Sequence, residues 1–226
     1  MTIALAIFVK TPGYSPIKTR LAASIGADAA VTFHRLAARA VAQVAQTECD
    51  GMLSNHWAVA ERAALDDPLW RGLPCIWQGE GTLGERLHKV YESLLATHDS
   101  VLLVGADAPQ VTPQLLRQAG ELLHDRAAFV LGDAEDGGFW LFGGRVPLPA
   151  SVWRNVRYSA SDTSAQLRRA LGPHGPVLSL PPLVDVDHGA DLDRLATALA
   201  ALSTPLPAQQ VLADWLKAGR HALAIG

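Results

Sequence analysis

The chain is poor in cysteine, with only Cys49 and Cys75 among 226 residues, and the two lie far apart in the sequence. This excludes a disulfide framework and the paired-cysteine spacing of a structural zinc site, and it fits a reducing, cytoplasmic compartment. The GxSxG and HExxH motifs are also absent, and the eight histidines are scattered without ligand spacing. We therefore expect neither a serine hydrolase nor a zinc peptidase.

An excess of charge of one sign and a long apolar run are lacking as well. Lys and Arg number 19 against 22 Asp and Glu, a net charge of -3, so no overall field would hold a nucleic acid. The apolar segment 1–9 lacks a basic stretch and a small-residue cleavage site, and it is too short to span a bilayer. We expect no nucleic-acid and no membrane partner, and we interpret this segment as a buried strand.

The hydrophobic pattern predicts a single α/β domain over residues 1–226, with a mostly parallel sheet between two layers of helices. Short apolar runs bounded by Gly, Pro or Asp alternate with segments of helical periodicity, which is typical of this architecture. The predicted strands are 2–9, 52–60, 74–77, 100–105, 127–132, 138–143 and 176–181. The predicted helices are 27–46, 84–96 and 112–124, with others beginning near residues 17 and 189 and a closing helix within 204–226.

Three cations follow the first predicted strand within eleven residues. Lys10, Lys18 and Arg20 lie in or just after a Gly/Pro turn, and a helix is expected to begin near Ile17. The amides at a helix N-terminus carry partial positive charge, so this segment suits a di- or triphosphate. The GxxxxGK[ST] spacing of a P-loop is absent, and a merely solvated basic loop is the alternative.

A glycine-rich loop at residues 78–84 contains a literal GxGxxG between a predicted strand and a predicted helix. A dinucleotide site with Asp107 as its acid is the weaker interpretation, because the loop lies in mid-chain and the basic turn would stay unexplained. The favoured alternative is base recognition, in which Gly84 and its neighbours let the chain approach a heterocycle and the Gln78 amide binds its edge. A simple glycine-rich helix entry is the structural alternative.

Acidic residues stand at the ends of several predicted strands, where ligands of open α/β sheets bind. Asp107 follows one strand, and Asp185 and Asp187 follow another. The latter two alternate along an extended backbone, so we expect both to face the same side of a strand. Two unit charges of like sign at 4 Å repel by about 4 kcal/mol at an effective dielectric of 20, so carboxylates beside a pyrophosphate need a cation. Few, hard oxygen ligands favour Mg2+ or Mn2+, and we expect these three acids to bind it. The alternative is that Asp187 or Asp191 merely caps the helix that is expected to begin near Gly189.

The turn at residues 135–138 pairs two acids with two glycines. Gly137 and Gly138 permit positive φ and the close approach of a ligand. Glu135 and Asp136 are candidates for acceptor binding or for the general base, although an ordinary hairpin would look similar. Arginines that could hold an anionic acceptor follow at Arg145, Arg154 and Arg157, although ordinary surface arginines are the commoner explanation.

These segments resemble the small bacterial GT-A-type glycosyltransferases described as radical-SAM- or selenodomain-associated and linked to arsenosugar biosynthesis. The resemblance covers most of the chain and implies a nucleotide-diphospho-sugar transferase fold, with Asp107 as the metal-binding acid and Gln78 near the base. Its markers, in order, are Phe8-x-Lys10-x-Pro12 with Lys18-Thr19-Arg20-Leu21, Gln78 with Leu83-Gly84-x-Arg86, Gly105-x-Asp107-x-Pro109, Gly132-x-Ala134-Glu135-Asp136-Gly137-Gly138 and Asp185-Val186-Asp187. The predicted nucleotide- and phosphate-binding residues are Lys10, Lys18, Arg20, Gln78, Gly84, Gly137 and Gly138.

The chain departs from that family's pattern at Ser15, Asp133 and Tyr158, where the family has glycine, proline and tryptophan. The basic loop and the Asp-x-Pro turn are also similar to those of the phospholactate guanylyltransferases, which transfer a nucleotidyl group. Three hypotheses result. The first is metal-dependent transfer from a nucleotide sugar to a small-molecule acceptor, and the second is nucleotidyl transfer from a nucleoside triphosphate with release of pyrophosphate. The third, suggested by Ser15 and Asp133, is a nucleotide-binding module without catalysis.

Overall fold

The computed structural model describes residues 2–47 and 53–223, and side chains to residue 219. Within these residues seven strands form one sheet in the order β3-β2-β1-β4-β6-β5-β7. The strands are β1 Ile3–Val9, β2 Leu53–Val59, β3 Cys75–Trp77, β4 Ser100–Gly105, β5 Phe129–Ala134, β6 Phe139–Gly144 and β7 Val177–Leu183. Only β6 runs antiparallel to its neighbours, so the carboxyl ends of the other six lie at one edge.

Helices cover both faces of the sheet. They are α1 Thr19–Ile25, α2 Ala27–Thr47, α3 Leu83–Leu95, α4 Pro113–Asp125, α5 Ala150–Arg154, α6 Thr163–Leu171, α7 Asp191–Ala200 and α8 Pro207–Leu223. Leu5 and Ile7 of β1 belong to the core on the side of α2 and α4, and Ala4 and Ala6 to the core on the side of α3, α5 and α6. Burial on both faces explains why this strand is apolar throughout.

A third core cluster lies beyond the edge of the sheet and joins α1, α2, α7 and α8. Its fully buried members include Leu21, Phe33, Leu195 and Leu212, and Val186 enters it from the segment after β7. Because Leu21 and Val186 share this cluster, the start of α1 and the segment that carries Asp185 and Asp187 are packed side by side.

The fold predicted from the sequence is confirmed, and each predicted strand is present with ends shifted by at most two residues. Helices α5 and α6 were not predicted. The first has only five residues, and Trp153 is its main anchor, fully buried between the rings of Tyr91 and Phe142. Such a short amphipathic segment carries too few turns for a periodic signal. Cys49 lies outside the described residues, and none of the described helices is long and apolar enough to cross a membrane.

Gly84 is predicted to be required by packing, whatever its part in nucleotide binding. A Cβ at this position would lie 2.5 Å from the Trp153 carbonyl oxygen and 2.9 Å from the Tyr158 ring. We expect Gly84→Ala to lower the free energy of unfolding by about 1–3 kcal/mol in urea titrations. Gly219 lies within α8, and a methyl group added there would meet no atom within 4 Å outside its own helix and its chain neighbours, so Gly219→Ala should raise the free energy of unfolding by about 0.5–1 kcal/mol. Equal effects of the two substitutions would contradict the packing argument.

Candidate nucleotide and metal site

Lys18 connects the basic loop to the acids at the carboxyl edge of the sheet. It adopts a left-handed φ of 43° directly before α1. Its ammonium lies 2.8 Å from Asp107 Oδ2 and also donates a hydrogen bond to the Val186 carbonyl. Asp107 follows β4 and Val186 follows β7, so one side chain joins three segments of the chain at the same edge.

The positive charge of Lys18 is stabilised by the acids around it. Burial alone would lower its pKa, but Asp107, Asp185 and Asp187 outweigh that effect and the net shift of the Lys18 pKa is upward. The ammonium therefore stays protonated at neutral pH and offsets part of the acidic charge. The predicted gathering of Lys18 with Asp107 and the pair Asp185 and Asp187 is present in the structure.

Asp185 is the most perturbed acid of the site. Burial, followed by repulsion from Asp107, raises the pKa of Asp185 to about 7, with Asp136 and Asp187 adding to the rise and Lys18 opposing it. The structure thus brings carboxylates together without neutralising them fully. A divalent cation would relieve this repulsion, and a set of hard carboxylate oxygens suits Mg2+ or Mn2+.

The protein alone does not supply a complete metal shell. Among the described residues, no group of three or more His, Cys, Asp and Glu side chains is close enough to hold an ion. Mg2+ commonly takes one or two carboxylates and completes its shell with water and substrate phosphates. The residues present fit that kind of site. Among the neighbouring charges, Asp107 has the largest effect on the pKa of Asp185, and the Asp107 side chain is about one-third exposed.

Asp187 has a different partner. Its carboxylate lies 2.5 Å from an Arg20 nitrogen, so the predicted phosphate-binding arginine is paired with a predicted metal-binding acid. Asp191 accepts hydrogen bonds from the backbone amides of Asp187 and His188 at 3.0 and 2.7 Å. Asp191 therefore holds this turn, and neither it nor Asp187 provides a side-chain cap for α7, whose N-cap is Ala190.

Asp185 and Asp187 lie in the segment after β7 and not within a strand, because β7 ends at Leu183. Beyond that residue the chain leaves β5 and bonds to the loop after β4, where Val186 donates its amide to the Asp107 carbonyl at 3.4 Å. The two acids still lie on the same side of the segment. Val186 between them points into the third core cluster, and both acids act on Lys18.

The glycine-rich loop uses Gln78 within the protein. Its side-chain amide donates to the carbonyls of Val9 and Ala58 at 3.2 and 2.8 Å, and the residue is almost fully buried. Gln78 thus ties the ends of β1 and β2 together beside the site. Gly79 has a positive φ, as does Gly81, while Gly84 lies against α5. Base recognition by this loop stays a prediction.

The turn at 135–138 is also shaped by internal contacts. Glu135 forms an ion pair with Arg194 of α7, and Asp136 Oδ1 accepts the Gly138 amide at 2.8 Å. Gly137 has φ of 92°, and a Cβ there would collide with the Ser161 carbonyl oxygen. The group that lies close to Gly137 is therefore the Ser161 backbone and not a ligand. Asp136 is exposed at the turn.

Several residues that support the basic loop were not predicted from the sequence. His34 donates from Nε2 to the Lys10 carbonyl at 2.8 Å, and burial lowers the His34 pKa, so its ring is neutral at pH 7. Glu61 accepts the Thr11 amide at 2.9 Å, and the Trp70 indole donates to the Thr11 hydroxyl at 2.9 Å. These pairs are separated by 24 to 59 residues, so no local pattern reveals them.

All three residues that depart from the family pattern make hydrogen bonds within the protein. Asp133 is bound by Arg168 at 2.8 and 2.9 Å and by the Ser164 hydroxyl, so it anchors α6 to β5. Tyr158 donates its hydroxyl to the Trp153 carbonyl at 3.1 Å. Ser15 donates its amide to the Thr11 carbonyl within the basic loop.

The fold is that of the nucleotide-diphospho-sugar transferases and cytidylyltransferases. A proposed nucleotide-diphospho-sugar transferase from Desulfovibrio desulfuricans G20 superposes with a TM-score of 0.81 and 26% identity, covering 98% of each chain. CMP:2-keto-3-deoxy-manno-octonic acid synthetase in complex with CTP superposes with a TM-score of 0.54 and 12% identity, covering 88% of this chain and 99% of the other. Rv0371c of Mycobacterium tuberculosis H37Rv, in complex with manganese, superposes with a TM-score of 0.50 and 17% identity, covering 86% of this chain and 98% of the other.

Residues 36–160 match the model of a family described as uncharacterized proteins conserved in bacteria, DUF2064. The chain belongs to this family. No curated protein matches its sequence.

Asp185 should make stability depend on pH. The native protein retains the Asp185 proton to about pH 7, whereas the unfolded chain releases it near 3.8, so unfolding becomes easier as pH rises between these values. In EDTA, Asp185→Asn should therefore gain stability relative to the wild type between about pH 4 and about pH 8, measured by urea titration. Asp66→Asn, at an exposed position, serves as the control. A stability difference for Asp185→Asn that is constant across this range would contradict the assignment.

Proposed function

We propose that this protein is a metal-dependent glycosyltransferase that uses a nucleotide-diphospho-sugar donor and Mg2+ or Mn2+. The observation that carries the proposal is the contact of Lys18 with Asp107 and the Val186 carbonyl. It places the basic loop, Asp107 and Asp185 at the carboxyl edge of the sheet, where open α/β folds bind ligands.

The comparisons support the same class of activity. The Desulfovibrio desulfuricans protein shares the whole fold and is named for nucleotide-diphospho-sugar transfer. Rv0371c has the fold and was crystallised with manganese. The arsenosugar-linked subfamily remains a prediction from the sequence motifs.

In this proposal the donor's phosphates lie between the basic loop and the acids. Lys10 is exposed near the start of the loop and Arg20 is more than half exposed at its end, so both can reach phosphate oxygens. Lys18 stays on Asp107 and keeps the local charge near balance. Asp107 and Asp185 would hold the divalent ion, with Asp187 beside them, and the ion supplies positive charge to the pyrophosphate.

Glycosyl transfer breaks the bond between the sugar C1 and the β-phosphate oxygen, and the electron pair leaves with the nucleoside diphosphate. The acceptor hydroxyl attacks C1, and its proton passes to a general base. Asp136 is the candidate base because it is exposed and only Oδ1 is used by the Gly138 amide. Glu135, held by Arg194, orients the turn.

Nucleotidyl transfer is the second candidate, and the similarity in fold to a synthetase crystallised with CTP favours it. An ionised acceptor attacks the α-phosphorus of a nucleoside triphosphate, and pyrophosphate leaves with the electron pair. Such an acceptor needs no general base. Detection of either the nucleoside diphosphate or pyrophosphate as the product therefore separates the two reactions, and turnover of neither would favour a nucleotide-binding module.

Removal of Asp107 should abolish metal-dependent nucleotide binding. We expect Asp107→Ala to keep the wild-type circular dichroism spectrum but to lose Mn2+-dependent heat in calorimetric titrations with nucleotides, because a carboxylate beside the phosphates is gone. Asp99→Ala is a matched control, since Asp99 precedes β4 and accepts the Thr2 amide at 2.7 Å at the opposite end of the strand. Wild-type titrations for the Asp107 variant would sink the metal assignment.

Asp136→Asn should separate catalysis from binding. With a donor selected by thermal-shift screening of nucleotide sugars in Mg2+ or Mn2+, we expect kcat to fall about 10²- to 10⁴-fold with little change in donor affinity. Glu135→Gln, which breaks the ion pair with Arg194, should have a smaller effect on kcat. If Asp136→Asn retains the wild-type kcat for sugar transfer, Asp136 is not the base.

A further inference from the structure

A buried glutamine connects the C-terminal helix α8 to the loop that carries Asp107. Gln209 is 2% exposed, and its side-chain amide donates two hydrogen bonds of 2.9 Å, to the carbonyls of Pro109 and Val111. These carbonyls flank Gln110 on both sides. The loop after β4 is thus hydrogen-bonded to a residue about one hundred positions later in the chain.

Gln110 continues the connection from this loop to the segment of Asp185. It is 3% exposed, and its amide nitrogen donates to the Val184 carbonyl at 2.7 Å. Together with the bond from the Val186 amide to the Asp107 carbonyl, this makes two cross-links between the acid-bearing segments. The Gln110 side-chain oxygen is buried and has no hydrogen-bond partner among the described residues. A buried acceptor without a partner lowers stability, and an apolar side chain would not have this cost. The stabilising contribution of Gln110 is therefore the hydrogen bond that it donates to Val184.

The first turn of helix α8, which contains Gln209, is fixed by hydrogen bonds of its own. Gln209 also accepts the Leu206 amide at 3.0 Å, and Gln43 of α2 accepts the Ala208 amide at 2.7 Å. One turn further, Leu212 packs in the third core cluster with Val186. The helix therefore contacts the acid-bearing segments both through hydrogen bonds and through apolar packing.

We propose that Gln209 is a positioning residue that, through the 109–111 loop and Gln110, fixes Asp107 relative to Asp185. Its relevance to metal binding rests on the proposed function. The cross-linking of the two segments by Gln209 does not, because it is a property of the protein without ligand. The two claims are therefore measured separately.

The test compares Gln209→Leu with Gln43→Leu. Each variant leaves one backbone amide at the start of α8 without its acceptor, Leu206 or Ala208, but only the first also frees the carbonyls of Pro109 and Val111. In metal-free protein we expect Gln209→Leu to speed hydrogen exchange of the Val186 amide about tenfold, while Gln43→Leu leaves it near the wild-type rate. Thermal midpoints show how far each variant is destabilised overall.

The second measurement is the affinity for Mn2+ in the presence of inorganic pyrophosphate. Loss of a supporting hydrogen bond behind metal ligands weakens metal affinity about 10- to 100-fold, and we expect this for Gln209→Leu but not for Gln43→Leu. If the wild type binds no Mn2+ with pyrophosphate, the proposed function fails, and the Val186 exchange rate still decides whether Gln209 positions the segments.

The inference is overturned if the two variants show the same Val186 exchange rate. If Gln209→Leu does not fold, Gln110→Met takes its place, since it removes only the bond to Val184. Faster exchange at Val186 in Gln110→Met supports the connection, and a wild-type rate overturns it.

Discussion

The site depends on one ion pair, between the nearly buried Lys18 ammonium and the partly exposed Asp107 carboxylate. A lone buried charge is strongly unfavourable, so Lys18 requires the nearby acids Asp107, Asp185 and Asp187 to stay charged at this edge of the sheet. Lys18 also donates a hydrogen bond to the Val186 carbonyl, from a left-handed backbone conformation directly before α1. The same side chain therefore sets the path of the basic loop and limits the charge repulsion that Asp185 experiences.

The fold could be predicted from the sequence because its signals are local. Apolar runs such as 100–105 end in Gly, Pro or Asp, and helices such as α4 begin with Thr112 and a proline at the first helical position. The side chains of β1 are apolar on both faces because helices cover both. Five-residue α5 escaped prediction since its anchor, Trp153, acts through tertiary packing alone.

The site could be predicted only in part. Residue type and position after a strand pointed to Asp107, Lys18 and Asp185, and the structure brings these together. The sequence could not reveal that Arg20 pairs with Asp187, or that Glu135 pairs with Arg194, because both pairs join segments with no fixed spacing. The amide of Gln78, similarly, is used by two backbone carbonyls whose proximity exists only in the folded sheet.

The acids of the site come from distant parts of the chain, Asp107 after β4 and Asp185 after β7, and the third core cluster that supports the latter includes α8. A chain that emerges from the ribosome N-terminus first can pair β1, β2 and β4 before Asp185, Gln209 and Leu212 have been synthesised. A nascent or C-terminally truncated chain would therefore contain much of the sheet and yet have no assembled centre. Assembly of the candidate site therefore has to follow the synthesis of the segments that carry β7 and α8.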